Sequence, residues 1–396
     1  MTDSEVSVLL HCAAWSGLLE SQVQAELSDR FNRQTDPTVE HQIEEVWTER
    51  VSKEPWLFNG SKFRLHSFRL ASSSSASPKH PAGTHRPHAA VLGRELDHCR
   101  RSEEDDDLCI NDSPGDAIQS GSAERNGPVS SQESDDQKAA PLLTLRLGLT
   151  CYKDYLGTNW SRRAAELRRR GEVEFGDPRA LLAQPLGVGG VLCTDDGQVV
   201  LIRRSQRVAE AGGLLDIPGG HPEPKVGLIR NKVLFLLRVI HTVVAPPQAV
   251  CERLGRRVRE EQIGVHMMQP RPVVSELFSS VCAEIRDEVN VPLSCLGAPV
   301  LMGVALNHTS AGRPSAEFYV SCSLTSDEVR RLYRKGGAEA SESTDIIFLC
   351  KTEVLQLDRR SPLWSELCPS AKGAVLLYQT VKPEDRETAA SVNTPR

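Results

Sequence analysis

Two stretches decide how this chain folds: Asp216-Ile-Pro-Gly-Gly-His-Pro-Glu223 and Glu276-Leu-Phe-Ser-Ser-Val-Cys-Ala-Glu-Ile-Arg-Asp-Glu-Val-Asn-Val291. Around the second, Val274, Leu277, Val281, Ile285 and Val289 recur at helical spacing, so Glu284, Asp287 and Glu288 share another face of the same helix. Three carboxylates on one turn repel one another. Either a hard cation with oxygen ligands relieves them, or they form an acidic solvent face paired with Lys or Arg. Gly219-Gly220 favours the cation, because a glycine pair permits a tight turn and lets backbone approach a phosphate or a metal-bearing helix. Asn290 tolerates the left-handed geometry that ends a helix, and Pro292 follows it.

Working outward, residues 186–194, the turn Asp195-Asp196-Gly197 and residues 198–204 read as a hairpin. Further strands are predicted at 299–307, 315–323 and 345–351. Thr325 with Glu328 forms a capping box for a helix to about Lys335. Ser361-Pro362 opens the last helical region, with a break before Val375. This pattern over 185–382 predicts an α/β/α sandwich with a mixed sheet. A smaller α+β N-terminal domain precedes it, in two pieces, 1–70 and 141–184. It comprises strands at 6–12, 62–70 and 143–149, a helix at 38–52 and a basic helix from Ser161 to Gly171. Its basic helix reads as a phosphate patch or, more simply, a solvated face. Between the two pieces, 71–140 is Ser-rich and acidic with few large apolar side chains, and is expected to be disordered. Residues 225–271 read as an irregular insertion or translated intron sequence, and 383–396 as a flexible tail.

Over 396 residues, 39% are hydrophobic and 25% charged, which allows a sizeable core. The net charge of −6 argues against a nucleic-acid partner or a basic membrane-facing surface. No apolar run approaches the roughly 20 residues of a spanning helix, and the start MTDSEVSVLL lacks a secretory pattern. Eleven cysteines without a Cys-x-x-Cys pair argue against a disulfide framework or a zinc ribbon. The expectation is a soluble intracellular protein of cytoplasm or nucleus. The chain contains no G-x-S-x-G elbow and no G-x4-G-K-[ST] phosphate loop.

Gly219-Gly220 followed by a helix bearing A-E-I-R-D-E-V-N-V resembles a degenerate Nudix box, G-x5-E-x7-R-E-U-x-E-E-x-G-U with U bulky and apolar. Glu284 and Glu288 match the metal-binding glutamates, and Ile285 and Val291 the apolar positions. Ala283 stands in place of the arginine, Asp287 of a glutamate and Asn290 of the glycine, while Glu276 lies one residue too near Glu284. The box is interrupted from Lys225 to about Arg271. Long stretches outside it, among them LTCYKDYLGTNW (149–160), RRSQRVAEAGGLLDIPGGHPEP (203–224), HTSAGRPSAEFYV (308–320) and ELCPSAKGA (366–374), are similar to the Nudix branch that cleaves UDP-sugars.

The resemblance implies magnesium-dependent hydrolysis of UDP-glucose, and of UDP-galactose similarly, to UMP and the sugar 1-phosphate. It places the metal on Glu284 and Glu288 and substrate contacts at Phe58, Tyr152, Arg204, Ala209, Asp216, His221 and Glu223. Phe58 and Tyr152 offer faces on which a uracil can stack, or serve as core aromatics. Arg204 offers a forked donor to a diphosphate, or pairs with Glu210 on the surface. Asp216 meets a sugar hydroxyl or orients Arg204, and His221 meets a phosphate or braces the turn. Asp287 is the local candidate for the catalytic base, with Glu276 and Glu223 behind it. The rival readings are a Nudix hydrolase of another nucleoside diphosphate derivative and a catalytically weak nucleotide-sugar binding module.

Overall fold

A computed structural model of the protein describes residues 4–71, 141–208, 210–224 and 264–384. Strand β1 (Val6–His11) leaves the N-terminal segment and pairs antiparallel with β9 (Val300–Asn307) in the main sheet. Strands β5 (Gly187–Cys193), β6 (Gln198–Arg204), β10 (Arg313–Ser321) and β11 (Ser343–Cys350) complete the order β1-β9-β10-β5-β6-β11. Two short strands hang from it, β7 (Leu215–Asp216) on β6 and β8 (Gly219–Gly220) on β5. The β5–β10 pair is parallel and the other pairings are antiparallel, so the sheet is mixed.

A second sheet is built from β2 (Val23–Leu27), β4 (Leu143–Cys151) and β3 (Ser61–Leu70), in that order. Strand β2 is too short and too polar, at Gln24 and Glu26, to have been read from the sequence, although Val23 and Ala25 alternate into the core. The helices of this part are α1 (Pro37–Lys53), α2 (Tyr152–Gly157) and α3 (Ala164–Phe175). Helix α3 starts later and runs further than its basic residues suggested. Gly171 lies inside it, and Gly176, at φ 69°, ends it. Arg170 pairs with Glu174 and Asp36, and Arg163 at the N-cap pairs with Glu166, as on a solvated face.

Helix α4 (Pro270–Val289) begins inside the range expected for the insertion, at a proline suited to a first turn. It packs between the two sheets: Val274, Leu277, Val281, Ile285 and Val289 share one apolar cluster with Val188 and Leu192 of β5 and with Ala25, Leu65 and Leu145 of the smaller sheet. Each such fully buried branched side chain contributes roughly 1.5–3 kcal/mol. Helix α5 (Ser326–Lys335) has the capping box of Thr325 and Glu328. Helices α6 (Lys351–Gln356) and α7 (Pro362–Glu366) lead to α8 (Pro369–Val381), which covers the opposite face through Ala371, Ala374 and Val375. Helix, mixed sheet and helix therefore stack as expected, with the smaller sheet against α4.

All described residues fall in one compact unit. Among them, no helix is long and apolar enough to cross a membrane. The segment expected to be disordered (72–140 of it), most of the insertion (225–263), Ala209 and the tail from 385 lie outside the described residues.

Candidate active site

Helix α4 ends at Asn290, whose φ of 64° is left-handed and whose Nδ2 donates to the Leu332 carbonyl at 2.9 Å. This cap fixes where the last helical turn, and with it Glu288, comes to rest. Glu288 is buried at 4% exposure, and its Oε2 accepts the Gly219 N–H at 2.9 Å. Gly220 lies so close to Glu284 that a side chain there would collide with the Glu284 carboxylate. At Gly219 a side chain would strike the Val188 carbonyl oxygen of β5. Neither glycine has positive φ, so the pair is needed for close approach rather than for an unusual turn.

Burial pushes the Glu284 carboxyl up to about 7, reinforced by the like charges of Glu339, Asp287 and Glu342. Burial also holds Glu288 well above the usual carboxylate range, and the Gly219 N–H offsets it only in part. Two crowded acids with oxygen donors fit a hard divalent cation, the group that would let both ionise. Among the described residues no group of three or more His, Cys, Asp and Glu is gathered as a metal cage. Magnesium commonly takes only one or two carboxylates and completes its shell with water and substrate phosphates. The residues present therefore fit the divalent metal that the resemblance implies.

Beside this helix opens a cleft of about 700 Å³, lined by Tyr152, Arg204, Asp216, Gly220 and His221 among others. Arg204 Nη1 pairs with Asp216 Oδ2 at 2.9 Å, and its Nε donates to the Glu210 carbonyl at 3.1 Å. Asp216 thus orients Arg204, whose contact with Glu210 runs through the backbone rather than through a surface ion pair. Tyr152 opens α2 and packs between Trp47 (6.4 Å, edge-on) and Tyr155 (6.4 Å, stacked). The loop carrying Phe58 docks beside it, with the Tyr152 N–H donating to the Gly60 carbonyl at 3.1 Å and the Lys153 N–H to Asn59 Oδ1 at 2.9 Å. Glu223 is ion-paired with Lys62 of β3. Asp287 is turned aside, both its oxygens accepting from Arg286 at 2.7 Å.

Several residues at this site were not read from the sequence. Lys62 binds Glu223, and its charge favours ionisation of Glu284. Glu342, from the segment before β11, lines the cleft and raises Glu284 and Glu288 by its charge. Arg313, at the start of β10, lines the cleft, as do Tyr155 and Glu210, the last named from the sequence only as a possible surface partner of Arg204. These residues come from elements distant in the chain, and no local spacing links them. Arg313 does sit within the stretch HTSAGRPSAEFYV, which pointed to it without giving it a role.

No family model matches the chain. Curated relatives do. The chain is 40% identical to the uridine diphosphate glucose pyrophosphatase NUDT22 of Homo sapiens, over 99% of this chain and 98% of that protein. It is 42% identical to the protein of the same name from Bos taurus, over 96% and 98%. It is 27% identical to Nudix hydrolase 9 of Arabidopsis thaliana, over 91% and 87%. The chain belongs to the Nudix hydrolase family. The relatives that it matches at 40% or more, over nearly their whole length, carry the name of one enzyme within it.

Proposed function

We propose that this protein hydrolyses UDP-glucose, and UDP-galactose similarly, to UMP and the corresponding sugar 1-phosphate, with magnesium as its metal. The observation that carries the reading is the meeting, at one cleft edge, of Glu284 and Glu288 with the Gly219-Gly220 strand. Glu284 and Glu288 would hold the magnesium, and the chemistry it supplies when bound is neutralisation of phosphate charge and acidification of a water.

The remaining work belongs to the chain. Arg204, steadied by Asp216, keeps guanidinium N–H groups for diphosphate oxygens, a bidentate contact well suited to anions. Tyr152 and Phe58 offer ring faces to a uracil, and Ala209 contributes backbone groups. His221 reaches a phosphoryl oxygen beside Gly220. Glu223, held by Lys62, borders the phosphate region. A carboxylate must draw the proton from the attacking water. Asp287 and Glu342 are at hand. Glu342 lines the cleft while Arg286 occupies both oxygens of Asp287, which favours Glu342.

The test is release of UMP and sugar 1-phosphate from UDP-glucose by the full chain, with and without magnesium. Glu284→Gln and Glu288→Gln are expected to keep the unfolding midpoint near that of the parent and to lose about 10²–10³-fold in kcat, the scale of several kcal/mol of transition-state charge stabilisation. Near-normal turnover in both variants would reject the assignment.

A further inference from the structure

Arg313 is buried, with 8% of its surface exposed, and borders the cleft. Its Nη1 lies 2.8 Å from His221 Nε2, its Nη2 lies 3.3 Å from Glu210 Oε2, and its Nε is buried with no partner. Glu210 in turn accepts the Tyr155 hydroxyl. A chain of contacts therefore runs from the aromatic wall of the cleft, through Glu210 and Arg313, to His221 next to Gly220.

The chemistry of the pair restricts the histidine. A guanidinium has only N–H donors and no acceptor. At 2.8 Å the ring atom facing it must be the acceptor, so Nε2 carries no proton. A neutral imidazole then bears its hydrogen on Nδ1, and a protonated ring would set N–H against N–H. Among the described residues the His221 ring makes no other hydrogen bond, and the residue is half-buried and lines the cleft. Burial, with the charges of Arg313, Lys62 and Arg204, also holds the ring well below the usual imidazole range.

We propose that Arg313 is a positioning residue that fixes His221 as a neutral Nδ1–H donor, aimed at a phosphoryl oxygen of the nucleoside diphosphate. The proposal rests on the reading of the cleft as a nucleotide-sugar site. It gives His221 the role of a fixed hydrogen-bond donor and takes it out of proton transfer. The carboxylate of Glu210 balances the charge of Arg313 and keeps the guanidinium edge turned toward the ring.

The ring state is read directly by ¹⁵N NMR of histidine-labelled full-length protein at neutral pH, with His221 identified by the signal missing from His221→Gln. The expected spectrum shows His221 with Nδ1 protonated and Nε2 bare. Arg313→Met should shift the ring toward the Nε2–H form and lower kcat/KM for UDP-glucose about tenfold, as for one lost hydrogen bond to a charged group. Arg313→Lys, which keeps a donor, should restore the Nδ1–H form. A proton on Nε2 in the parent protein, or an unchanged ring in Arg313→Met, overturns the proposal. The parent spectrum alone decides the tautomer, so the test survives a variant that fails to fold. The Nδ1–H tautomer in a protein that does not turn over UDP-glucose supports the ring assignment and sinks the substrate reading.

Discussion

Glu288 shows how its surroundings suit a single side chain to the role proposed for it. An acid that is 4% exposed, with one backbone N–H for company, resists ionising, and Glu284 one turn away resists it too. What relief there is comes to Glu288 from the Gly219 N–H and to Glu284 from the charge of Lys62. Gly220→Ala places a methyl where the Glu284 carboxylate lies, and the far end of that side chain can swing away. We expect this variant to fold with an unchanged thermal midpoint and to lose tenfold or more in kcat for UDP-glucose, since displacing one oxygen of a charge-stabilising site costs at least about 1.4 kcal/mol. An alanine enzyme with parental kcat would show that the proximity has no catalytic consequence. The glycine pair was legible in the sequence, but its reason was only half read. The sequence suggested a special turn as well as close approach to the helix, and the structure retains only the second.

At the scale of elements, helix α4 was the most legible part of the chain. Five apolar residues at helical spacing face the cores, and Asn290 ends the helix in the left-handed conformation that its side chain tolerates. Asn290 also donates to Leu332, tying the end of α4 to α5. Asn290→Ala is expected to lose about 2–3 kcal/mol in urea unfolding, from left-handed strain of about 1–2 kcal/mol plus one hydrogen bond of about 1 kcal/mol. Asn290→Gly should lose only the hydrogen bond. Equal stabilities for the two would mean that the left-handed cap carries no strain. Less legible were α2 and β2. Helix α2 follows directly on β4, and its polar-aromatic sequence has no apolar stripe to announce it. It is pinned by tertiary contacts: Asp154 is buried against Arg33, which also binds Glu40 of α1. No local pattern encodes that bridge.

The whole molecule joins its N-terminal part to the catalytic fold more closely than a chain of successive domains would. Strand β1 lies at the edge of the main sheet, and the smaller sheet covers the Nudix helix. The N-terminal residues Asn59 and Gly60 bind the backbone of Lys153 and Tyr152, and Lys62 pairs with Glu223. Sequence patterning gave the layers of the sandwich, because each strand and helix announces its own buried face. Which strand lies beside which depends on contacts hundreds of residues apart, such as Val6 with Asn307, and periodicity is silent on those. A chain cut to residues 185–384 would lose β1 and uncover the face of α4 that packs on the smaller sheet. We expect it to lack the cooperative urea transition of the full protein. A shortened chain that unfolds cooperatively at the parental midpoint would show that the two parts are energetically separate.

On the proposed function, Glu284 and Glu288 hold the divalent ion against the Gly219-Gly220 strand. The most direct measurement is an anomalous difference map from crystals of the full chain grown with manganese in place of magnesium and soaked with UDP-glucose. A peak is expected within coordination distance of both the Glu284 and Glu288 carboxylates, with the diphosphate beside Gly220 and Arg204. A peak at another acidic cluster, or a diphosphate bound away from these two glutamates, would contradict it.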